Sequence, residues 1–442
     1  MQIDLTQGNI RRSLVLFSLP MILGNLLQQL YNVADTLIVG KTIGTTALSA
    51  VGSAYALMVL LTSIMLGLCM GSGVVFAQHY GARRIDDLKL SMVNAFLFIL
   101  GITILLNIVS FYLLDHFIIW LQIPLEAAAQ TKEYLFIIFF GLLAVFIYNY
   151  FASVLRSMGN TVVPLIFLAI AALLNIVLDL YLILEWNMGV GGAAWATVIS
   201  QYVSAILIVI YFFRKAQYLL PDKQHLRLDR QALSFIISNS SLTAIQQSIM
   251  NFGILMIQGL VNSFGFYVSA AFAAVVKIDG FAYMPAQDFG NAYATFIAQN
   301  YGAGRKDRIA QGTTIALQMS VIFCIIASAF VYFFAQPFML LFVKANEIAV
   351  IEIGVGYLRI VGLCYVGIGI LFLLYGFYRG IGKSQMSIVL TVISLGTRVG
   401  LAYYLSAIPD IGLAGIWWAI PIGWVLADII GLAVYHSLKR KW

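Results

Sequence analysis

The sequence predicts an all-α integral membrane fold: twelve transmembrane helices, arranged as two six-helix lobes related by a parallel internal repeat, with a central cleft between them. Three observations predict it. Of the 442 residues, 62% are hydrophobic and only 10% charged, with a mean hydropathy of +0.96; soluble domains carry roughly 25% charged residues. The apolar residues fall in runs long enough to cross a bilayer. Three short motifs recur in the same order in the second half of the chain.

A spanning helix needs about 20 apolar residues, and in water-free hydrocarbon each helix must satisfy its own backbone. Apolar runs between charged or Gly/Pro-rich breaks give spans at 14–38, 53–78, 91–114, 132–154, 162–184 and 191–213, then 233–262, 268–298, 313–336, 353–377, 386–407 and 413–436. They are too long and unbroken for membrane strands. The opening MQIDLTQGNI is polar, with no small-residue cleavage site, so no removable signal peptide is expected and the first span stays. Cys69, Cys324 and Cys364 lie far apart in apolar segments and read as small buried hydrophobes.

Orientation follows from the basic residues. One set of loops and ends holds Arg11 and Arg12, then Arg83, Arg84 and Lys89, Arg156, and Arg214, Lys215, Lys223, Arg227 and Arg230. The same set continues with Arg305, Lys306, Arg308, Arg379, Lys383, Lys439, Arg440 and Lys441, whereas the alternate loops hold only Lys41, Lys132 and Lys344. Both termini are therefore expected on the cytoplasmic side. This topology accounts for the net charge of +7 without a nucleic-acid partner.

The longest polar stretch, residues 214–231, divides the chain into an N-terminal lobe, 1–213, and a C-terminal lobe, 232–442. AQHYGARRIDD (77–87) matches AQNYGAGRKDR (298–308) at an offset of 221. LRSMGNT (155–161) matches YRGIGKS (378–384), and MGVGGAAWA (188–196) matches IGLAGIWWA (411–419), both at 223. Six helices separate the copies, so the lobes are parallel repeats, as in secondary transporters with a site between halves. Gly81 and Gly302 are expected to end helices at the cytoplasmic face, with the following arginines anchored at headgroups. Gly382-Lys383-Ser384 imitates the end of a phosphate loop, but Phe377 stands where its first glycine is required. The short loops leave no room for a nucleotide-binding domain.

An ionisable group inside a span is costly and is a functional candidate by default. Asn25, Gln28, Tyr31, Asn32 and Asp35 share about half the circumference of the first span. Asn175 and Asp179 are four apart on the fifth, and Thr197 is the polar residue of GGAAWATVIS on the sixth. The topology puts Asp35, Asn175, Asp179 and Thr197 in one depth band near the outer ends of their helices. Such oxygen ligands suit a hard cation, a possible Na⁺ site. Two neighbouring carboxylates in low dielectric also resist joint ionisation, so the pair can equally hold a proton. The structural alternative is polar glue pinning three helices together. Pro20 removes a backbone hydrogen bond about four turns below Asp35 and is a hinge candidate.

The second half does not copy the cluster. At the 223 offset Asn175 maps to Arg398, Asp179 to Ala402 and Thr197 to Ile420. Its own intramembrane charges are Lys277, Asp279, Asp288, Arg398 and Asp428, with Arg359 near enough to an end to snorkel. Lys277 and Asp288 share a face about 16 Å apart along the axis and need separate partners, Arg398 being the one available to Asp288. A buried ion pair and a role in substrate binding or gating are equally open for them, and Asp428 reads as structural.

These residues resemble the multidrug and toxic compound extrusion (MATE) family along essentially the whole chain. The carriers are QQLYNVADTLIVG (28–40), AQHYGARR (77–84), LRSMGNT (155–161), NIVLD (175–179) with Thr197, and AQNYGAGR (298–305). The resemblance implies Na⁺- or H⁺-driven antiport that expels amphipathic, often cationic, organic molecules through a central cleft, with no cofactor beyond the coupling ion. A monomer working in the cytoplasmic (inner) cell membrane in contact with lipid is expected. In the DinF-like branch the matching positions make Asp35, Asn175, Asp179 and Thr197 the cation site. Gln28, Tyr31, Tyr134 and Asn149 would line the cavity, and Asp288 is a further cavity candidate. The chain departs from the other prokaryotic branch, which carries acidic residues in its seventh and tenth helices; the seventh span here offers only Gln246, Gln247, Asn251 and Gln258.

The alternative of the same wider superfamily is a flippase for lipid-linked saccharides. Large anionic headgroups call for several cationic residues along the cleft, and only Lys277 and Arg398 qualify. A membrane enzyme fits poorly, since His79, His116, His225 and His436 sit at predicted ends or loops with no nucleophile beside them. A channel fits less well than an exchanger, because the carboxylate site is confined to one repeat.

Overall fold

The computed structural model describes residues 3–121 and 123–440, and among them the secondary structure is helical. The first half holds α1 (Ile10–Thr42), α2 (Thr45–Gly81), α3 (Ile85–Tyr112), α4 (Leu125–Phe139), α5 (Leu142–Ser157), α6 (Val162–Leu180) and α7 (Gly189–Lys215). The second holds α8 (Arg230–Asn262), α9 (Phe266–Gly302), α10 (Lys306–Phe333), α11 (Ile348–Gly362), α12 (Tyr365–Gly380), α13 (Ser384–Ser406) and α14 (Leu413–Lys439). Ten of these are long and apolar enough to span a membrane singly. The pairs α4–α5 and α11–α12 each make one further span, which gives the twelve expected.

Those two spans correct the expectation of continuous helices at 132–154 and 353–377: the first bends by 43° and the second by 52°. They are repeat counterparts, since both helix starts are shifted by 223. A break in hydrocarbon frees carbonyls that must find donors inside the protein. Asn107 Nδ2 reaches Phe139 O at 2.7 Å and the Tyr202 hydroxyl reaches Phe140 O at 3.0 Å. The break in the fourth span is therefore capped by side chains from α3 and α7. Apolar stripes are left bare on two of the spanning helices. Ile104, Leu105 and Ile108 on α3 are about half exposed or more, as are Ile322, Ile325 and Ile326 on α10.

The chain forms two compact units, but the division does not follow the polar stretch 214–231. One unit holds Leu23–Ala244, and the other holds Asp4–Ile22 with the chain from Ile245 onward. Thus α1 changes unit two residues after Pro20, and α8 changes unit at Ala244. The 214–231 stretch lies wholly in the first unit, where it is tied to α3. Asn94 bonds Arg227 O at 3.1 Å and accepts from Asp229 N at 3.0 Å, and Lys89 pairs with Asp222 at 3.2 Å.

In the first unit, small residues let α2 and the start of α8 meet backbone to backbone. A Cβ added at Gly71 would lie 2.5 Å from Asn239 O and Ser240 Cα, and beside it Ser72 Oγ and Ser240 Oγ are 2.8 Å apart. Two large apolar clusters make up most of this unit's described core. One surrounds Phe76, Phe146 and Tyr150; the other surrounds Leu57, Tyr134 and Phe139.

Gly81 and Gly302 do end α2 and α9. The left-handed position that follows falls on Arg83 (φ 57°) in the first repeat and on Gly304 (φ 69°) in the second. A side chain there crowds the following carbonyl. Arg83→Gly is expected to stabilise the protein by about 1 kcal/mol, read as a higher thermal midpoint, and Gly304→Ala to do the reverse.

In the second unit the repeated motif has a use its sequence did not disclose. Leu5 N donates to Gln299 Oε1 at 3.2 Å, and Asn300 Nδ2 donates to Leu5 O at 3.1 Å. Arg308 donates to Leu5 O at 3.1 Å from Nε, to Gly8 O at 2.8 Å from Nη1 and to Gln7 O at 2.6 Å from Nη2. The segment leading into α1 is thus held by the end of α9 and the start of α10.

Candidate cation-coupling site

Four helices of the first unit assemble the site. Asp35 comes from the last third of α1, Asn175 and Asp179 from adjacent turns of α6, Thr197 from α7 and Tyr134 from α4. Directly after Asp179 the helix widens into a π turn over Tyr181–Glu185, with Trp186 N bonded to Tyr181 O at 3.3 Å. Such turns recur at functional positions in helices. Asp179 is fully buried, Asn175 2% exposed and Asp35 9% exposed.

The carboxyl groups of Asp35 and Asp179 lie within interaction range of one another. Neither forms an ion pair among the described residues. Asn175 Nδ2 donates to Thr197 Oγ1 at 3.3 Å, leaving its own carbonyl oxygen free. Asp35 Oδ1, both oxygens of Asp179 and Asn175 Oδ1 are all buried without a hydrogen-bond partner. Four buried acceptors with no donor make this a site short of positive charge. A proton bridging the carboxyls or a hard cation among the oxygens supplies it.

The structure therefore brings together Asp35, Asn175, Asp179 and Thr197. It adds Tyr31 and Tyr134, both within electrostatic range of the two carboxylates. Tyr55 on α2, which the sequence reading missed, neighbours Tyr31; it lies one apolar helix away in sequence, with no motif to flag it. Gln28 is exposed, and Asn149 spends its amide on Val145 O of its own helix at 2.9 Å. Neither bonds to a member of the cluster.

Asp288 belongs to the second unit, where it is 4% exposed on α9. The expected pairing of Asp288 with Arg398 is not made: Arg398 faces Asp279, Tyr283 and Tyr357. Nine residues, about 13 Å of helix, separate Asp279 from Asp288. Lys277 is exposed and helps line a separate cavity of about 350 Å³ with Phe266, Phe342, Lys344 and Glu347.

Twelve spans in two repeats, with a buried carboxylate pair in one repeat only, define the class of protein: a multi-pass membrane transporter. The profile of the MatE family matches residues 20–181 and, a second time, residues 242–404. The chain belongs to the MatE family. The two matched stretches begin 222 and end 223 residues apart, which is the internal repeat read from the motifs. The chain is 30% identical to the probable multidrug resistance protein YpnP of Bacillus subtilis over 395 residues, covering 88% of this chain and 87% of that one. It is 27% identical over 449 residues to the probable multidrug resistance protein NorM of Thermotoga maritima, covering 98% and 93%. Its fold matches an outward-facing multidrug resistance MATE transporter with a TM-score of 0.92 at 24% identity, covering 99% and 98% of the two chains.

Proposed function

We propose that this protein is a multidrug exporter of the cell membrane, expelling amphipathic and often cationic organic molecules in exchange for Na⁺ or H⁺. The observation that carries this reading is the set of four buried, donorless acceptors around Asp35 and Asp179. Reversible neutralisation of that set by an incoming ion is the step that energises export. Alternating access couples it to the substrate, and coupling requires that the ion bind one conformation more tightly than the other. Both termini face the cytoplasm, and one chain suffices. Tyr31, Tyr134, Gln28 and Asn149 line the substrate path of the first lobe.

Proteoliposomes loaded with a fluorescent cationic dye test the reading under independently imposed Na⁺ and proton gradients. One of the two gradients should drive dye movement, and the effective one names the ion. Failure of both to move any dye would remove the exporter assignment.

Pro20 serves as the hinge in this scheme, since α1 passes from one unit to the other just beyond it. Pro20→Ala restores the missing N–H and is expected to slow gradient-driven transport while leaving equilibrium dye affinity unchanged. Stopped-flow efflux together with dye titration checks it.

A further inference from the structure

The second unit carries its own buried polar cluster, at the repeat counterpart of the first. Tyr357 and Arg398 stand 223 residues beyond Tyr134 and Asn175. Asp279 on α9 accepts hydrogen bonds on both oxygens, from the Tyr357 hydroxyl at 2.5 Å and from the Tyr365 hydroxyl. Arg398 lies well inside the spanning helix α13, with Asp279, Tyr283 and Tyr357 in electrostatic range. It forms no ion pair among the described residues, and its Nε is buried without a hydrogen-bond partner.

An arginine kept at this depth for stability alone is expected to be paired and hydrogen-bonded, because an uncompensated buried charge is strongly destabilising. Here two tyrosines hold the carboxylate. Asp279 lies in electrostatic range of Arg398 without pairing with it, and the Nε donor of the guanidinium stays unspent. A guanidinium is a planar fork matched to two-oxygen acceptors, which it binds bidentately. The same place in the fold thus collects acceptors in the first unit and presents a donor in the second.

We infer that Arg398, framed by Tyr283 and Tyr357, binds the carboxylate, sulfonate or phosphate group of an amphipathic organic substrate. The inference rests on the exporter reading and deepens it: the substrates include zwitterions and organic acids, not cations alone.

The test uses purified full-length protein and a matched pair of dyes, a rhodamine methyl ester and its free acid, whose binding is titrated by fluorescence. Wild-type protein should bind both dyes. In Arg398→Gln the ratio of acid to ester affinity should fall about tenfold or more, the effect of deleting a charge-assisted hydrogen bond in a buried site. Arg398→Lys, which keeps the charge and loses the fork, should fall between. Ester binding in each variant reports that the protein is folded, and the wild-type comparison needs no variant.

Binding of the ester without the acid by wild type overturns the inference and leaves the exporter reading standing. Equal weakening of both dyes in Arg398→Gln overturns it too, in favour of a structural arginine. Binding of neither dye removes the exporter reading and the inference together. A final arm adds phosphatidylglycerol: if this lipid stabilises the wild type but not Arg398→Gln while the acid dye fails to bind, the site takes a lipid headgroup and the inference falls.

Discussion

Replacing either Asp35 or Asp179 with asparagine will abolish gradient-driven dye export while the protein still folds. Asparagine keeps the size and one carbonyl oxygen of the side chain but cannot gain and lose a charge. A conformational equilibrium driven from one state to the other needs about a 10⁴-fold difference in ion affinity between them. Without a titratable pair that difference disappears, and export should drop about 100-fold or more, to the passive leak. The stability effect should have the opposite sign. In the wild type three carboxylate oxygens of the pair are buried with no donor, and an Asn amide supplies two N–H groups to them. Asp179→Asn, at the fully buried member, should therefore raise stability by about 1–3 kcal/mol. Proteoliposome efflux and thermal unfolding, run on the same preparations, check both halves. Variants that export at wild-type rates would mean that the cluster is only glue between helices.

The cluster was legible in the sequence because helical arithmetic fixes both face and depth. Asn175 and Asp179 are four apart and must share a face; the alternation of basic loops then sets the direction of each helix and so the level of Asp35 and Thr197. The repeat was legible for a related reason, since its motifs end helices and a helix end is written in a few consecutive residues. What stayed hidden depends on contacts far apart in the chain. The bends in the fourth and tenth spans leave hydrophobicity unbroken, and the donors that make the first bend tolerable come from Asn107 and Tyr202 on other helices. The passage of α1 and α8 between units occurs inside unbroken helices, where no change of composition marks it.

The second-half charges show the same limit more sharply. Asp279, Tyr357, Tyr365 and Arg398 are spread over four helices, and two tyrosines among the 23 in the chain carry no signal until they meet one carboxylate. Spacing within α9 led instead to Asp288, which shares a helical face with Lys277 but has no link to Arg398.

The end of the repeated motif was visible as a helix stop, and its function was not, because the partner segment is 300 residues away. Arg308→Ala should cost about 3 kcal/mol or more and release that segment. Its guanidinium makes three charge-assisted bonds to Leu5 O, Gln7 O and Gly8 O. Each such bond contributes about 1.5–3 kcal/mol, less than additively for one side chain. At 7% exposure water cannot readily take its place, so the buried carbonyl of Leu5 keeps only Asn300 as donor. Arg308 also lies over the Phe296 ring, 5.8 Å from its centroid, a contact a lysine would only partly keep. Arg308→Lys should recover less than half of the loss, since an ammonium cannot span three carbonyls in one plane. The checks are thermal unfolding, for the energy, and amide exchange at residues 5–9, for the release. A thermal midpoint within about 1 °C of wild type for the alanine variant would show that α9 and α1 hold the segment without Arg308. If exchange at residues 5–9 accelerates as expected, the consequence reaches the cation site. The freed segment leads directly into α1, the helix that carries both Pro20 and Asp35, so the entry angle of that helix is then no longer fixed at its first turn. Gradient-driven export should fall with the anchor even though Arg308 touches neither ion nor substrate, and Arg308→Lys should restore export and protection from exchange in the same proportion.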